Sequence, residues 1–306
     1  MHLPPGMKTP LRYAGIAVLA TAAVVAAQRL PRAASDAQPA AASEAVCTLQ
    51  GAPATLPRGL AETSGLALGA GNRVWSHNDG SKATLFALDA AGAIVQEVRV
   101  DGVELDDWED LESSPCATGT CLYLADTGDN DGKRDGIAIH VVPEPAADER
   151  TVRATATIRA RYPERAQDAE ALFIVQGQPF VVTKGRHAPI AIYRVPQSQT
   201  ASPFVLERVR EIADRPDNPF DLVTGATATP DGTWVAIRTY RAMMLFRAEQ
   251  LLGNQPVQPV HVDLTPLQHA QGESVALDAA GNAWFTSEDE VGSAPLLARM
   301  TCRLEQ

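Results

Sequence analysis

The chain has 306 residues, of which 45% are hydrophobic, enough to bury a sizeable core as one large domain or two smaller ones. Its 37 acidic and 26 basic side chains give a net charge of −11, which argues against nucleic acid or an anionic lipid surface as a partner. No apolar run reaches the length of a membrane span, which excludes a multi-span membrane protein.

The N-terminal segment has the pattern of an export signal. Lys8 and Arg12 precede an apolar stretch from Ala14 to Ala27 that ends in small residues suited to cleavage. We expect residues 1–27 to be a signal peptide or an uncleaved anchor, the latter being the one membrane contact expected. Residues 28–45 have no apolar periodicity and are expected to be a disordered linker, with the folded domain at 46–306. The protein is then periplasmic or secreted.

The folded part repeats a unit that begins with a short polar motif and continues into three apolar strands. The motifs of the five repeats contain Glu62, Glu109, Glu170, Thr224 and Glu273. A fourth strand follows in four repeats, and tight-turn sequences such as Pro230-Asp-Gly separate the first two strands. This periodicity predicts an all-β fold, a β-propeller of five four-stranded blades. Six blades are the alternative, because the second repeat is the longest and could contain additional strands.

The fifth repeat reaches the end of the chain without a fourth strand. The segment from Cys47 to Leu56 precedes the first repeat and can supply that strand, which closes the ring. Cys302 would then lie beside Cys47, so we expect a disulfide between them. Cys116 and Cys121 enclose a tight turn and form the second expected pair, because an even cysteine count in an exported chain favours disulfides over metal ligands.

In such a propeller, the loops that enter the innermost strands gather at one mouth of the central channel. The polar residues expected there are His77, Asn78, Asp79, Asp107, Asp110, Asp126, Asp129, Asn130, Asp168, Lys184, Arg238 and Glu288, together with the five motif residues above. Carboxylates held this close repel one another unless a cation lies among them, and calcium prefers oxygen ligands. Two alternatives stay open: Lys184 and Arg238 neutralise the ring, or its glutamates only cap backbone amides of neighbouring blades.

Nucleophilic catalysis has little support, because there is no Gly-x-Ser-x-Gly motif and no histidine in a known catalytic pattern. His77 is the histidine expected at the channel, and four others are expected to face solvent or an outer strand: His140, His187, His261 and His269. General acid–base chemistry could use Glu109, Asp110 or Glu170 if burial raises a pKa towards neutrality. Trp108 lies beside carboxylates as in a sugar site, although a tryptophan in such a place is more often a packing residue than a stacking platform.

The loop from Asp126 to Asp135 is rich in aspartate but does not fit an EF-hand. Asp131 occupies the glycine position of that motif and no glutamate closes the loop. We expect an Asx-rich turn that projects into the mouth.

Several linked motifs resemble those of a largely uncharacterised group of exported bacterial β-propeller proteins: Asp107-Trp-Glu-Asp-Leu, Asp126-Thr-Gly-Asp-Asn, Asp168-Ala-Glu-Ala-Leu, Arg238-Thr-Tyr and Gln271-Gly-Glu. More distantly, the chain is similar to phytase-like and gluconolactonase-like propellers, whose channel mouths bind calcium through carboxylates. The resemblance implies a metal site around Glu62, Glu109, Asp126, Glu170 and Glu273. It does not extend to the several basic residues that a phytase needs for its phosphates.

Three functions follow, of different classes. The first is binding of a divalent cation, calcium, and of a small or carbohydrate-like ligand that contacts Asp107, Trp108, Asp110, His77, Lys184 and Arg238. The second is a metal-dependent hydrolase or lactonase with Glu109 or Glu170 as base. The third is a protein-interaction scaffold in which the ring is structural. The protein is expected to act as a monomer.

Overall fold

The computed structural model describes residues 47–304, except for Ser81, Thr118, 197–201, Ala270 and 290–292. The expected signal segment and linker, 1–45, lie outside the described residues. Between 47 and 304, the chain is almost entirely β-strand and turn, as the repeats predict. One short helical turn, Ala248–Leu251, follows the third strand of the fourth repeat.

The strands form five sheets, one for each repeat. In order from the inside outwards, blade 1 contains Thr63–Leu68, Val74–Asn78, Thr84–Leu88 and Ile94–Asp101. Blade 2 contains Trp108–Cys116, Gly119–Asp126, Ile137–Pro143 and Ala156–Arg161. Blade 3 contains Ala169–Val175, Gln178–Thr183, Ile190–Arg194 and Glu207–Ala213. Blade 4 contains Val223–Ala228, Trp234–Thr239, Ala242–Arg247 and Val260–Asp263.

Blade 5 is built from both ends of the domain. Its inner strands are Gly272–Leu277, Asn282–Ser287 and Leu296–Cys302, and the N-terminal strand Cys47–Leu49 pairs antiparallel with the last of them. Ala54–Thr55 extends the same edge. The N-terminal closure predicted from the sequence is therefore confirmed.

The first strands of neighbouring blades pack against one another all the way round, including blade 5 against blade 1, so the ring is closed with five blades. The longer second repeat does not add a sixth blade. Its extra residues include Thr151–Arg153, which pairs in parallel with the outer strand of blade 1. Phe204–Val205 pairs similarly with the outer strand of blade 2. Short 3-10 turns occur at Arg58–Leu60, Ala70–Asn72, Pro219–Asp221 and Thr265–Leu267.

The core lies between the blades rather than inside the channel. Trp75 and Ala87 of blade 1, for example, share one buried cluster with Trp108, Leu111 and Leu122 of blade 2. Each blade thus removes both of its faces from water by packing against its neighbours, which stabilises the ring as a whole.

Both expected disulfides are present, Cys47–Cys302 and Cys116–Cys121. Cys47 lies directly opposite Cys302 in the strand register, so the first disulfide joins the two ends of the ring. Two disulfides and no free cysteine suit an oxidising compartment. Within the described residues, none of the helices has the length and apolar character needed to cross a bilayer.

Candidate functional site

Every first strand has a bulge at the same level, close to where it enters the blade. A bulge adds an unpaired residue and redirects its side chain. Alignment of the strand registers across these bulges gives one equivalent residue per blade: Ser64, Glu109, Glu170, Thr224 and Glu273. All five are buried, and we call them the inner ring.

A second ring is formed by the residue that directly follows the second strand of each blade. In four blades, the backbone N–H of this residue donates to the carbonyl oxygen of the residue that precedes the first strand. In blade 4 the member is the residue at the same position after the second strand. The members of this outer ring are Asp79, Thr127, Lys184, Tyr240 and Glu288. Both rings lie at the end of the channel where the first strands begin.

The rings correct one detail of the repeat alignment. The N–H groups of Asp79 and Thr127 donate to the carbonyl oxygens of Glu62 and Asp107 respectively, so Glu62 is equivalent to Asp107 and not to Glu109. Ser64 occupies the position of Glu109 in blade 1. The alignment from sequence is two residues out in blade 1, because it matched the glutamates of the motifs and the glutamate of blade 1 precedes its strand. Glu62 is exposed.

Three carboxylates lie close enough together to hold one cation. Asp79, Asp107 and Glu109 each offer an oxygen, and the three oxygens lie within 4.8 Å of one another. We call these residues the acidic triad. Glu109 is only 6% exposed, and among the residues that the structure describes no group donates a hydrogen bond to its carboxylate. Within the described residues, the site therefore contains a buried carboxylate that accepts no hydrogen bond.

Gly128 allows this close approach. A β-carbon at that position would collide with the carboxylates of Glu109 and Asp107. The Asp126 loop therefore reaches the mouth, as expected, but it contributes a small residue there rather than a ligand.

The electrostatics of the mouth favour binding of a cation. Burial, with the neighbouring Glu170, Asp107 and Asp79, raises the pKa of Glu109 well above its ordinary value. The pKa of Asp107 is raised to about 6, mainly by burial and then by Asp79. Burial and Asp79 likewise raise the pKa of Glu288 to about 7. Each rise means that ionisation of these groups is costly until a positive charge is supplied.

The bases at the mouth compensate only part of this charge. Lys184 forms a buried ion pair with Glu170, as the sequence suggested, and the carboxylates around it raise its pKa. Burial still raises the pKa of Glu170 to about 7, although Lys184 opposes the rise. Arg186 pairs with Asp168 at 2.9 Å and so serves a carboxylate outside both rings.

Arg238 does not neutralise the ring by ion pairing. It is fully buried, and its guanidinium donates to the carbonyl oxygens of Ser274 and Thr286 at 2.6 and 2.8 Å and to His269. Burial lowers its pKa to about 9, and the charge of Glu273 opposes this shift. Arg238 therefore joins blade 4 to blade 5.

Asp126 also has structural partners. Its carboxylate accepts hydrogen bonds from the backbone N–H groups of Asp106 and Asp107 and pairs with Arg134 at 2.9 Å. It holds the backbone that carries the acidic triad and is not a member of it.

His77 and Trp108 form a buried stack with ring centroids 4.1 Å apart. The Nε2 atom of His77 accepts from the N–H of Gly65, so Nδ1 carries the proton and donates to the carbonyl oxygen of Asn78. Burial lowers the pKa of His77 to about 3, which keeps the ring neutral. Because both side chains are fully buried, Trp108 presents no face to a ligand.

The capping of backbone amides across blades is performed by Asp110 and Glu112 rather than by the inner-ring glutamates. The Asp110 carboxylate accepts from the N–H groups of Leu172 in blade 3 and Ala226 in blade 4. Glu112 accepts from the N–H of Ala228. Burial raises the pKa of Asp110 well above its ordinary value.

Three of the four histidine expectations agree with the structure and one does not. His140 is 1% exposed and faces the outer strand of blade 2, whose Thr157 hydroxyl it contacts. His269 lies against Arg238 rather than in solvent. His187 and His261 are exposed, as expected.

The structure thus gathers Asp107, Glu109, Glu170, Glu273 and Lys184 at one mouth and places the other predicted site residues at its exposed edge or inside the fold. Tyr240 was missed by the sequence reasoning. The sequence feature that could have identified Tyr240 is its position directly after the second strand of blade 4, where three other blades have Asp79, Lys184 and Glu288.

No protein-family model matches the chain, and no curated protein matches it significantly. Among solved structures, the PQQ-bound aldose sugar dehydrogenase of Streptomyces coelicolor is similar over 85% of this chain and 99% of that chain, with a TM-score of 0.52 and 10% identity. A streptogramin B lyase is similar over 84% of this chain and 98% of that chain, with a TM-score of 0.44 and 11% identity. A catalytically inactive virginiamycin B lyase from Staphylococcus aureus with quinupristin covers 84% and 99%, with a TM-score of 0.43 and 10% identity. At these identities the likeness concerns the fold alone, and the chain is a β-propeller distantly similar to these proteins.

Proposed function

We propose that the protein binds a divalent cation, calcium, at the acidic triad, and that the bound ion and the surrounding mouth hold a small, oxygen-rich ligand such as a carbohydrate. The observation that carries the proposal is the convergence of three carboxylate oxygens within 4.8 Å. One of them belongs to the buried Glu109, whose carboxylate accepts no hydrogen bond from any residue that the structure describes.

The chemistry of the donors favours calcium. Calcium takes six to eight oxygen ligands and tolerates irregular geometry, whereas zinc prefers histidine and cysteine. The triad offers only carboxylate oxygens and supplies part of such a coordination shell. The remaining positions would be filled by water or by oxygens of the ligand, which couples the two binding events.

The rest of the mouth suits a ligand with several oxygens. Lys184 and Arg186 provide cationic donors, and Tyr240 is the aromatic side chain of the outer ring, half-buried beside them. Tyr240 replaces Trp108 as the candidate aromatic contact, because Trp108 is enclosed. The sugar dehydrogenase named above binds PQQ, but its likeness is one of fold and transfers no residue role to this chain.

Calcium titration calorimetry on the full chain, with its disulfides oxidised, tests the proposal. Glu109→Gln and Asp107→Asn should each weaken binding at least ~10-fold, because each removes a charged ligand. Glu62→Gln is the matched control, since Glu62 is an exposed carboxylate at the same mouth, and it should leave the affinity within about twofold. Binding that is equally weakened by all three changes would reflect general surface charge and contradict a site at the triad.

The titration behaviour of Glu170 favours a second function, a metal-dependent hydrolase or lactonase. A carboxyl group with a pKa of about 7, held beside Lys184 and close to a cation site, suits general acid–base catalysis. With glucono-1,5-lactone as the probe, Glu170→Gln should abolish turnover and leave calcium binding in place. Turnover that survives in this variant would reject Glu170 as the base. If the protein neither binds calcium nor hydrolyses the lactone, the interaction scaffold becomes the preferred function.

A further inference from the structure

The opposite end of the channel contains a large cavity that the cation site does not use. The first strand of each blade runs from the acidic mouth to a hairpin on the other face, and all five hairpins line a cavity of about 960 Å³. This volume lies within the range of small-molecule sites. Every blade contributes to the lining, represented by Leu68, Glu112, Ile174, Thr227, Leu277 and Trp284.

Asp110 separates this cavity from the acidic mouth. Asp110 and Glu112 are two residues apart on one strand, so their side chains lie on the same face of it. Each reaches an amide of blade 4, Asp110 that of Ala226 and Glu112 that of Ala228. Asp110 is fully buried, whereas Glu112 lines the cavity. None of the described residues that line the cavity belongs to either ring or to the acidic triad.

Glu112 is a buried carboxyl group without a cationic partner. It is 4% exposed and accepts hydrogen bonds from the N–H groups of Ser113 and Ala228 at 2.9 and 3.1 Å. Within the described part of the chain, it forms no ion pair. Of the two arginines that line the cavity, Arg73 is paired with Glu144, and Arg299 is exposed to solvent. Burial raises the pKa of Glu112 to about 8, so its ionisation is costly and a cation beside it would stabilise the charged form.

The remaining lining suits an apolar body carrying that cation. Leu68, Ile174 and Leu277 supply aliphatic surface, and the partly buried indole of Trp284 can stack against a cation. Asp231 and Asp278, which also line the cavity, add negative charge.

We propose that this cavity is a second ligand site, which binds a small organic ammonium ion with its charged head against Glu112 and its apolar body against the aliphatic and indole surfaces. The site lies at the opposite end of the channel from the acidic triad, and its occupancy does not depend on calcium.

Three probes with one body and different head groups test the proposal: 2-phenylethylammonium, 2-phenylethanol and phenylacetate. Binding to the full chain is followed by ligand-observed NMR at about pH 8.5, where Glu112 is ionised and an alkylammonium retains its proton. The ammonium probe should bind at least ~10-fold more tightly than the neutral and anionic probes, because a buried carboxylate discriminates strongly in favour of a cation. The same affinity is expected in calcium and in EDTA.

Glu112→Gln should reduce ammonium binding at least ~10-fold, whereas the control Asp231→Asn, at the exposed rim of the same cavity, should change it less than about threefold. If Glu112→Gln does not fold, the head-group series on the unmodified protein and Trp284→Leu, which removes the stacking surface, carry the test. Equal binding of the three probes, no binding at ~10 mM, or full retention of ammonium affinity in a folded Glu112→Gln variant would overturn the proposal.

Discussion

Loss of the Cys47–Cys302 disulfide should destabilise the protein much more than loss of Cys116–Cys121. The first disulfide spans 255 residues and joins the short closing strand Cys47–Leu49 to the rest of blade 5, whereas the second spans 5 residues within one hairpin. The chain-entropy relation gives ~5.5 kcal/mol for the long loop and ~2 kcal/mol for the short one. The expected difference, ~3.5 kcal/mol, is well outside the error of a denaturation experiment.

Two double variants, with each cysteine pair replaced by alanine, test this prediction. Their free energies of unfolding, and that of the unmodified protein, are measured by guanidinium chloride denaturation, with two spectroscopic probes to check that the transition is two-state. Alanine is preferred to serine because Cys302 is buried and a hydroxyl group there would lack a partner. Equal losses in the two variants, or a larger loss from the short loop, would refute the argument that the first disulfide acts by closing the ring.

Three further predictions concern the channel. Asp110→Asn should lower the free energy of unfolding, measured by urea denaturation, by about 2–3 kcal/mol, because one of the backbone amides that converge on this carboxylate then meets an NH₂ group. The same change at the exposed Asp131 is the control and should cost less than about 0.5 kcal/mol. Gly128→Ala should weaken calcium binding, measured by calorimetry, at least ~10-fold, because the new β-carbon displaces the triad carboxylates. Gly59→Ala, whose β-carbon would meet only ordinary contacts, should leave the affinity unchanged, and equal effects of the two changes would contradict the role of Gly128. Folding raises the pKa of Glu112 to about 8, so between its unfolded pKa and pH 8 the native state binds a proton that the unfolded state does not. The stability of the protein relative to Glu112→Gln should therefore fall as the pH rises through that window. A difference in denaturation midpoint that does not depend on pH would contradict this.

The sequence was sufficient to predict the architecture because a propeller repeats its pattern. Five in-phase repeats gave the number of blades, and the missing strand of the fifth repeat, with Cys47 and Cys302, gave the closure. Both rest on spacing, which is visible in a sequence. Asp107 and Glu109 were identified as mouth residues for the same reason.

What the sequence did not show depends on the register and direction of single side chains. The two-residue offset between Glu62 and the position of Glu109 is visible only in the strand pairing, because blade 2 has an acidic residue at both positions, Asp107 and Glu109. Arg238 turns towards the carbonyl groups of blade 5, and Trp108 stacks on His77, because packing rather than residue type decides where a side chain at the end of a strand points.

Glu112 was missed although the alternation of the strand contained it. It follows Asp110 by two residues, which places both side chains on the channel side of the strand. Glu112 lies outside the repeated polar motif that marks the mouth, at the other end of the channel, so the repeat pattern does not indicate it.

Thermal unfolding in calcium and in EDTA tests the cation site most directly, on the full chain with its disulfides intact. A ligand that binds only the native state stabilises it by about 2.7 kcal/mol at 100 times its dissociation constant. For a domain of this size, the midpoint should then rise by about 5–10 °C in calcium, and Glu109→Gln should abolish the rise. A midpoint that is the same in calcium and in EDTA, or a rise that Glu109→Gln leaves unchanged, would contradict the proposal that the acidic triad binds calcium.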